Sequence, residues 1–138
     1  MKYFTIEELC ASETARRRGI DNRPSATVCV RLTQLIEQLL DPIRAAWGAP
    51  IAVNSGYRSP KLNAAVGGVS TSQHLRGEAA DITVGSPADN KRLFDKIVEL
   101  QKAGRIAFDQ LIDESNFRWI HISYRSGANR NQTLHLNN

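Results

Sequence analysis

Between Thr27 and Trp47 the apolar side chains fall at Val28, Leu32, Leu35, Ile36, Leu39, Leu40, Ile43 and Trp47, in steps of three and four. That spacing lines one face of a helix, so the segment predicts a buried amphipathic helix around which the other elements must pack. Gly48 is its expected stop. Pro42 interrupts the pattern: a residue without an N–H and with a fixed φ predicts a kink, with Asp41 capping a second segment that begins at Pro42.

The flanking sequence supplies smaller elements. Thr5 followed by Glu8 reads as a capping box opening a short helix, and GIDNRPS, residues 19–25, reads as a loop. Ile51–Val53 is a short strand candidate leading into a polar stretch, roughly residues 54–78, in which Ser59 and Pro60 open a brief helix closed by Gly67 and Gly68. Ala79–Val84 reads as a strand. Ser86 and Pro87 then start a helix that buries Leu93, Phe94, Ile97, Val98 and Leu100 and ends at Gly104. Phe108–Ile112 and Arg118–Ser123 form a hairpin across Asp113–Phe117. Helices first and a small, mostly antiparallel sheet afterwards define the α+β class. The 138 residues fit one domain, 1–138, with 124–138 expected as a loose C-terminal tail because it lacks acids and has few apolar groups.

Several function classes fall away. No apolar run approaches the roughly 20 residues needed to cross a bilayer, so no membrane partner is expected. Glu7 and Glu8 stand where a signal peptide needs unbroken apolar sequence, which predicts synthesis in the cytoplasm without Sec export. Cys10 and Cys29 are too few for a disulfide scaffold or a four-cysteine zinc site and are expected as small buried residues. The net charge of +4 is mild, and Arg16, Arg17 and Arg18 read as a solvated helix face without the interleaved aromatics of a nucleic-acid site.

A polar loop of this length inside a compact domain usually carries function, because its backbone groups must be satisfied without a ladder. It contains Arg58, Gln73, His74, Arg76 and Glu78, and Asp81 follows in the strand AADITV. A carboxylate buried there without a partner costs several kcal/mol, on the order of a lost charge-assisted hydrogen bond or more. His121 raises the same question in WIHIS, where Trp119, His121 and Ser123 share one face and Ile120 and Ile122 the other. Two imidazoles and one carboxylate are a three-ligand zinc set with a fourth position open. The alternative is a satisfied core histidine at His121 with Asp81 paired to Arg76, and residue spacing leaves both open, since the HExxH helix signature is absent.

The string SGYRSPKLNAAVGGVSTSQHLRGEAADI, residues 55–82, together with WIHIS at residues 119–123, resembles the M15 zinc peptidases, in particular their small phage and bacterial branch. FTIEEL, LLDPIRAAWG and FDQLIDE extend the resemblance along nearly the whole chain. It implies a Hedgehog/DD-peptidase-like fold and one Zn²⁺ held by His74, Asp81 and His121. Arg58 in the SGYRSP turn matches the arginine that polarises the scissile carbonyl or holds the substrate carboxylate, tasks that suit a planar, multiply donating cation. Glu114 matches the general base, although it stands seven residues before His121 where the family pattern has six, which leaves Asp113 as the competing assignment. Trp119 matches an aromatic lining the cleft, and Gln73 and Ser123 are candidates for supporting or substrate hydrogen bonds.

The implied activity is hydrolysis of a peptidoglycan stem or cross-link peptide next to a D-amino acid by a monomer. Three bonds fit: a terminal D-Ala-D-Ala, a cross-bridge, or L-Ala-D-Glu. A wall-degrading enzyme without an export signal is expected to act as a phage or prophage lysis protein. The competing function is a non-catalytic, zinc-stabilised module of the same fold that binds wall peptide or a protein partner; the complete set of ligands, arginine and base argues against it.

Overall fold

The computed structural model describes residues 1–136, in which short helices precede and flank a mixed five-stranded sheet. The N-terminal arm holds α1 (Ile6–Cys10) and α2 (Glu13–Arg18), each started by a hydroxyl: Thr5 Oγ1 accepts from the Glu8 N–H and Ser12 Oγ from the Ala15 N–H. These bonds satisfy donors that the first turn leaves free. Cys10 and Cys29 are free and half-buried rather than fully buried, and burial, reinforced by the neighbouring Cys29, pushes the Cys10 thiol up to about 11.

The long periodic segment forms one continuous rod in three pieces: α3 (Ala26–Leu35), a π-helical turn (Ile36–Leu40) and α4 (Asp41–Trp47), closed by Gly48 in the left-handed conformation. The kink expected at Pro42 takes the form of this wide turn just before it, in which the Asp41 N–H reaches back five residues to the Ile36 carbonyl. One extra residue in the turn relieves the clash between a proline ring and the preceding carbonyls. Asp41 does not cap the second segment. Its carboxylate instead accepts the Lys2 and Tyr3 N–H groups at 2.6 and 3.0 Å and ties the N-terminus to the rod.

The strands are β1 (Ala52–Ser55), β2 (Ala79–Thr83), β3 (Gln110–Glu114), β4 (Trp119–Ser123) and β5 (Gln132–Leu136), in the spatial order β1-β2-β4-β3-β5. The first three ladders are antiparallel and β5 runs parallel to β3. The two further helices are α5 (Pro60–Ala65), capped by Ser59 as expected, and α6 (Pro87–Lys102), capped by Ser86. Ala80, Ile82, Leu111, Ile120 and Ile122 turn to one side and join Leu32, Leu35, Ile36, Leu39, Leu93 and Ile97 in the core. Because side chains alternate along a strand, Asp81 and His121 turn to the other side. Burying each large aliphatic side chain is worth about 1.5–3 kcal/mol, so the core face fixes the register that presents the polar one.

Residues 132–136 correct the expectation of a loose tail. The segment buries little, and only Leu134 is even half-covered. It is held instead by its ladder to β3, by the Ser115 N–H on the Leu136 carbonyl (2.9 Å), and by His135 Nδ1 against Asp113 Oδ2 (3.0 Å). Positions 137 and 138 of the expected tail lie outside the described residues. The hairpin also differs from expectation. Its strands continue to Glu114 and resume at Trp119, and the turn between them runs through Ser115, Asn116 and Phe117, all with positive φ. Asp113 Oδ1 accepts the Phe117 N–H at 2.6 Å and stabilises this costly conformation.

Candidate metal centre

Sheet register brings the three candidate ligands together. Asp81 on β2 lies directly opposite His121 on β4, and opposite Ser55 on β1. His74 arrives from a short 3-10 turn, Gln73–Arg76, that Ser72 caps and Gly77 closes with φ 75. The result is a compact cluster: His121 Nδ1 lies 3.0 Å from Asp81 Oδ1 and His74 Nε2 lies 3.3 Å from Asp81 Oδ2, with one ligand atom from each residue within 4.8 Å of the others. Among the described residues it is the one group of this kind. The pairing of Asp81 with Arg76 does not form, for Arg76 stands 3.8 Å from Glu78.

The donor chemistry fits a metal. His74 Nδ1 donates to the Gly56 carbonyl at 2.6 Å, which fixes the ring orientation and leaves Nε2 as the atom that faces Asp81. Gly56 is glycine for a steric reason, because a Cβ there would overlap the Leu9 carbonyl. Burial by itself raises the Asp81 carboxyl, but the hydrogen bonds and charges of His121 and His74 outweigh it and hold the group well below the usual carboxylate range. Asp81 is therefore the ionised, acceptor-only group that a divalent cation needs. Two imidazoles and a carboxylate converging in this way are the donor set of an open zinc site.

Around the cluster opens a cleft of about 520 Å³, lined by Arg58, Val66, Gly67, Gly68, Val69, Ser72, Glu114 and Trp119 besides the three ligands. Glu114 and Trp119 are cross-strand partners, and Trp119 Nε1 donates to Glu114 Oε2 at 2.7 Å. Asp113, one residue earlier, points the opposite way into its contacts with Phe117 and His135. Glu114 thus reaches the cleft and Asp113 does not. Arg58 Nη2 stands 3.8 Å from Asp81 Oδ2, and its backbone N–H donates to the His74 carbonyl at 3.1 Å. A larger cavity of about 640 Å³ lies beyond Arg58, against β1 and α2, but it holds none of the three ligands.

Neither Gln73 nor Ser123 makes a side-chain hydrogen bond to His74, Asp81 or His121 among the described residues. Gln73 Nε2 donates to Asp109 Oδ2 at 2.7 Å, and the fully buried Asp109 also accepts Arg130 Nε and Nη2 at 2.8 and 2.9 Å. Gln73 therefore anchors the turn that carries His74. Ser123 Oγ accepts the Gln110 N–H and makes no hydrogen bond to the three ligands among the described residues. Sequence reasoning passed over Asp109, Asn22 and Asn63, whose roles depend on partners beyond their immediate neighbours in the chain. Asn22 bonds the Cys10 and Tyr57 carbonyls and the Ser59 N–H, which brackets Arg58.

Residues 2–123 match the sequence profile described as Peptidase M15. The chain belongs to the M15 peptidase family. The α+β fold expected from the sequence is the one observed, and His74, Asp81 and His121 stand together as candidate metal ligands. A zinc D-Ala-D-Ala carboxypeptidase from Streptomyces albus G is 50% identical over 48 residues, 34% of this chain and 19% of the relative. This M15 chain therefore matches about a fifth of that relative's length. Among the described residues no helix is long and apolar enough to cross a membrane.

Proposed function

We propose that this M15 peptidase hydrolyses peptidoglycan peptides next to a D-amino acid, with Glu114 as general base and Arg58 as the cation facing the substrate. The observation that carries this reading is the convergence of a carboxylate and a guanidinium on one cleft around His74, Asp81 and His121. The partial relative, a D-Ala-D-Ala carboxypeptidase, supports the substrate class. Zinc held by the three ligands supplies Lewis acidity and lowers the pKa of water to about 7.

The protein's own groups perform the remaining work. Glu114 Oε2 is anchored by the Trp119 indole, which leaves Oε1 to take a proton from the attacking water and pass it to the leaving amine nitrogen. Arg58 offers its Nη2 group toward the cleft, where it can donate to the oxygen on which negative charge develops or to the substrate carboxylate. Val66 and Val69 are exposed at the cleft rim, and they supply apolar contact for the small methyl side chains of alanine residues. Every residue of the site comes from one chain, so the reading needs no second copy, and the cell wall is where its substrate lies.

The test is incubation of the zinc-loaded and the zinc-stripped protein with purified muropeptides, followed by mass spectrometry. Products shortened at a D-amino acid only with zinc are expected, and their masses name the bond. No metal-dependent product, with muropeptides binding unaltered, would assign the chain to the non-catalytic binding module instead.

A further inference from the structure

Arg58 is useful only if its flexible side chain is held in one direction, since both arginine tasks require a donor at a fixed place. Its guanidinium has three nitrogens, and the structure accounts for each. Nε donates to Ser55 Oγ at 3.2 Å, Nη1 donates to Asn63 Oδ1 at 3.0 Å, and Nη2 turns to the cleft beside Asp81. Asn63 is itself 3% exposed, on the inner face of α5, and both its amide oxygen and its amide nitrogen are hydrogen-bonded. Its Nδ2 donates to the Val69 carbonyl at 2.9 Å, while its backbone carbonyl accepts the Gly68 N–H at 2.9 Å. Asn63 thus joins Arg58 to the Val66–Val69 rim of the cleft.

The glycine on that rim belongs to the same arrangement. A Cβ on Gly68 would overlap Asn63 Oδ1 and come within 2.7 Å of Arg58 Nη1. Gly68 is not in a left-handed conformation, so conformational freedom does not explain it. Space for the Arg58–Asn63 bond does. A neutral amide suits this role better than a carboxylate. It fixes the guanidinium without cancelling the charge that the cleft uses, and a second buried acid near Asp81 would compete for Arg58.

We propose that Asn63 is the positioning residue for Arg58, seated against Gly68 and holding the guanidinium so that Nη2 faces the substrate. This rests on the reading of Arg58 as the substrate-facing cation, and a double-mutant cycle separates the two. The variants are Arg58→Ala, Asn63→Ala, the pair together, and Gly68→Ala, each zinc-loaded and assayed on purified muropeptides for kcat and KM. Zinc content and melting temperature are measured alongside. Asn63→Ala and Gly68→Ala are each expected to lower kcat/KM by about 10- to 100-fold. The loss falls in the same parameter that Arg58→Ala affects, and Asn63→Ala adds no more than about twofold in the Arg58→Ala background. Side-chain NMR relaxation of the Arg58 Nε–H is expected to show increased motion in Asn63→Ala at unchanged zinc content.

If Arg58→Ala leaves turnover intact, the reading of Arg58 fails and the inference falls with it. If Arg58→Ala is damaging but Asn63→Ala is silent, or costs the same factor with and without Arg58, the positioning role is overturned and the reading of Arg58 survives. Gly68→Ala alters neither interacting side chain, so it decides the matter should Asn63→Ala fail to fold.

Discussion

Replacing Glu114 by glutamine changes one oxygen of the cleft and little else. The glutamine carbonyl can still accept the Trp119 indole N–H that Glu114 Oε2 accepts at 2.7 Å, so the β3–β4 pairing keeps its cross-strand contact. None of the three candidate metal ligands touches the lost charge through a hydrogen bond among the described residues, so zinc content is expected to stay at one equivalent per chain. What disappears is, among the described residues, the one cleft carboxylate that is not a candidate metal ligand. General-base catalysis is worth roughly 10²–10⁴-fold, and Glu114→Gln is predicted to lower kcat on muropeptides by that factor, about 3–5 kcal/mol of barrier. Asp113→Ala is the control, and it should behave in the opposite way. Asp113 is buried, and its loss leaves the Phe117 N–H without an acceptor in a turn of three left-handed residues. About 1–3 kcal/mol of stability should go, with kcat changed by less than about tenfold. Steady-state kinetics with zinc analysis and thermal melts read both variants. If Glu114→Gln retains kcat while Asp113→Ala loses it at unchanged stability, the two acids have been assigned in the wrong order.

Other perturbations reach the site from further away. Asp109→Asn is expected to cost about 1.5–3 kcal/mol at neutral pH, since it weakens the paired Arg130 bonds and the Gln73 bond. The Arg130 bonds first, and Gln73 after them, hold the Asp109 carboxyl below its ordinary value against the effect of burial. Its contribution is therefore full above the unfolded value near 3.9 and is lost as the pH falls through the lower folded value. Urea melts should show that acid-linked loss in the native protein and a smaller one in Asp109→Asn; equal slopes would reject the assignment. Gly56→Ala forces a methyl into the Leu9 carbonyl and shifts the backbone oxygen that orients His74. Zinc affinity, read by competition with a chelator, is expected to fall about 10- to 100-fold, and an unchanged affinity would show that the Gly56 carbonyl does not matter.

The parts of this protein that were legible in its sequence are those whose cause is local. Hydroxyl caps at Thr5, Ser59 and Ser86, the helical face from Val28 to Trp47, and the alternation of WIHIS all depend on neighbours a few residues away, and all form as expected. The elements that were misread depend on distant partners. Asp41 looks like a cap until Lys2 and Tyr3 fold back onto it, and residues 132–136 look like a tail until β3 offers an edge and Asp113 meets His135. The candidate ligands were legible through the His, Asp and His spacing, because the resemblance to M15 peptidases supplied the fold that closes the gap between residues 81 and 121. The choice between Glu114 and Asp113 was not, because one residue along a strand exchanges the faces of the sheet. Only the pairing of Glu114 with Trp119 shows which acid meets the cleft. Asn63 and Asp109 escaped notice because a buried polar side chain has no periodic signature. Each is recognised only by the group it bonds.

His74, Asp81 and His121 are predicted to form one zinc centre that is complete only with all three. Zinc per chain, measured by elemental mass spectrometry after dialysis against a weak chelator, tests it in the native protein and in His121→Ala, a residue with no bond to the core side of the sheet. One equivalent in the native protein and little in His121→Ala, with both chains folded by circular dichroism, is the predicted result. Equal zinc in the two proteins, or none in the native one, would overturn this assignment of the three ligands.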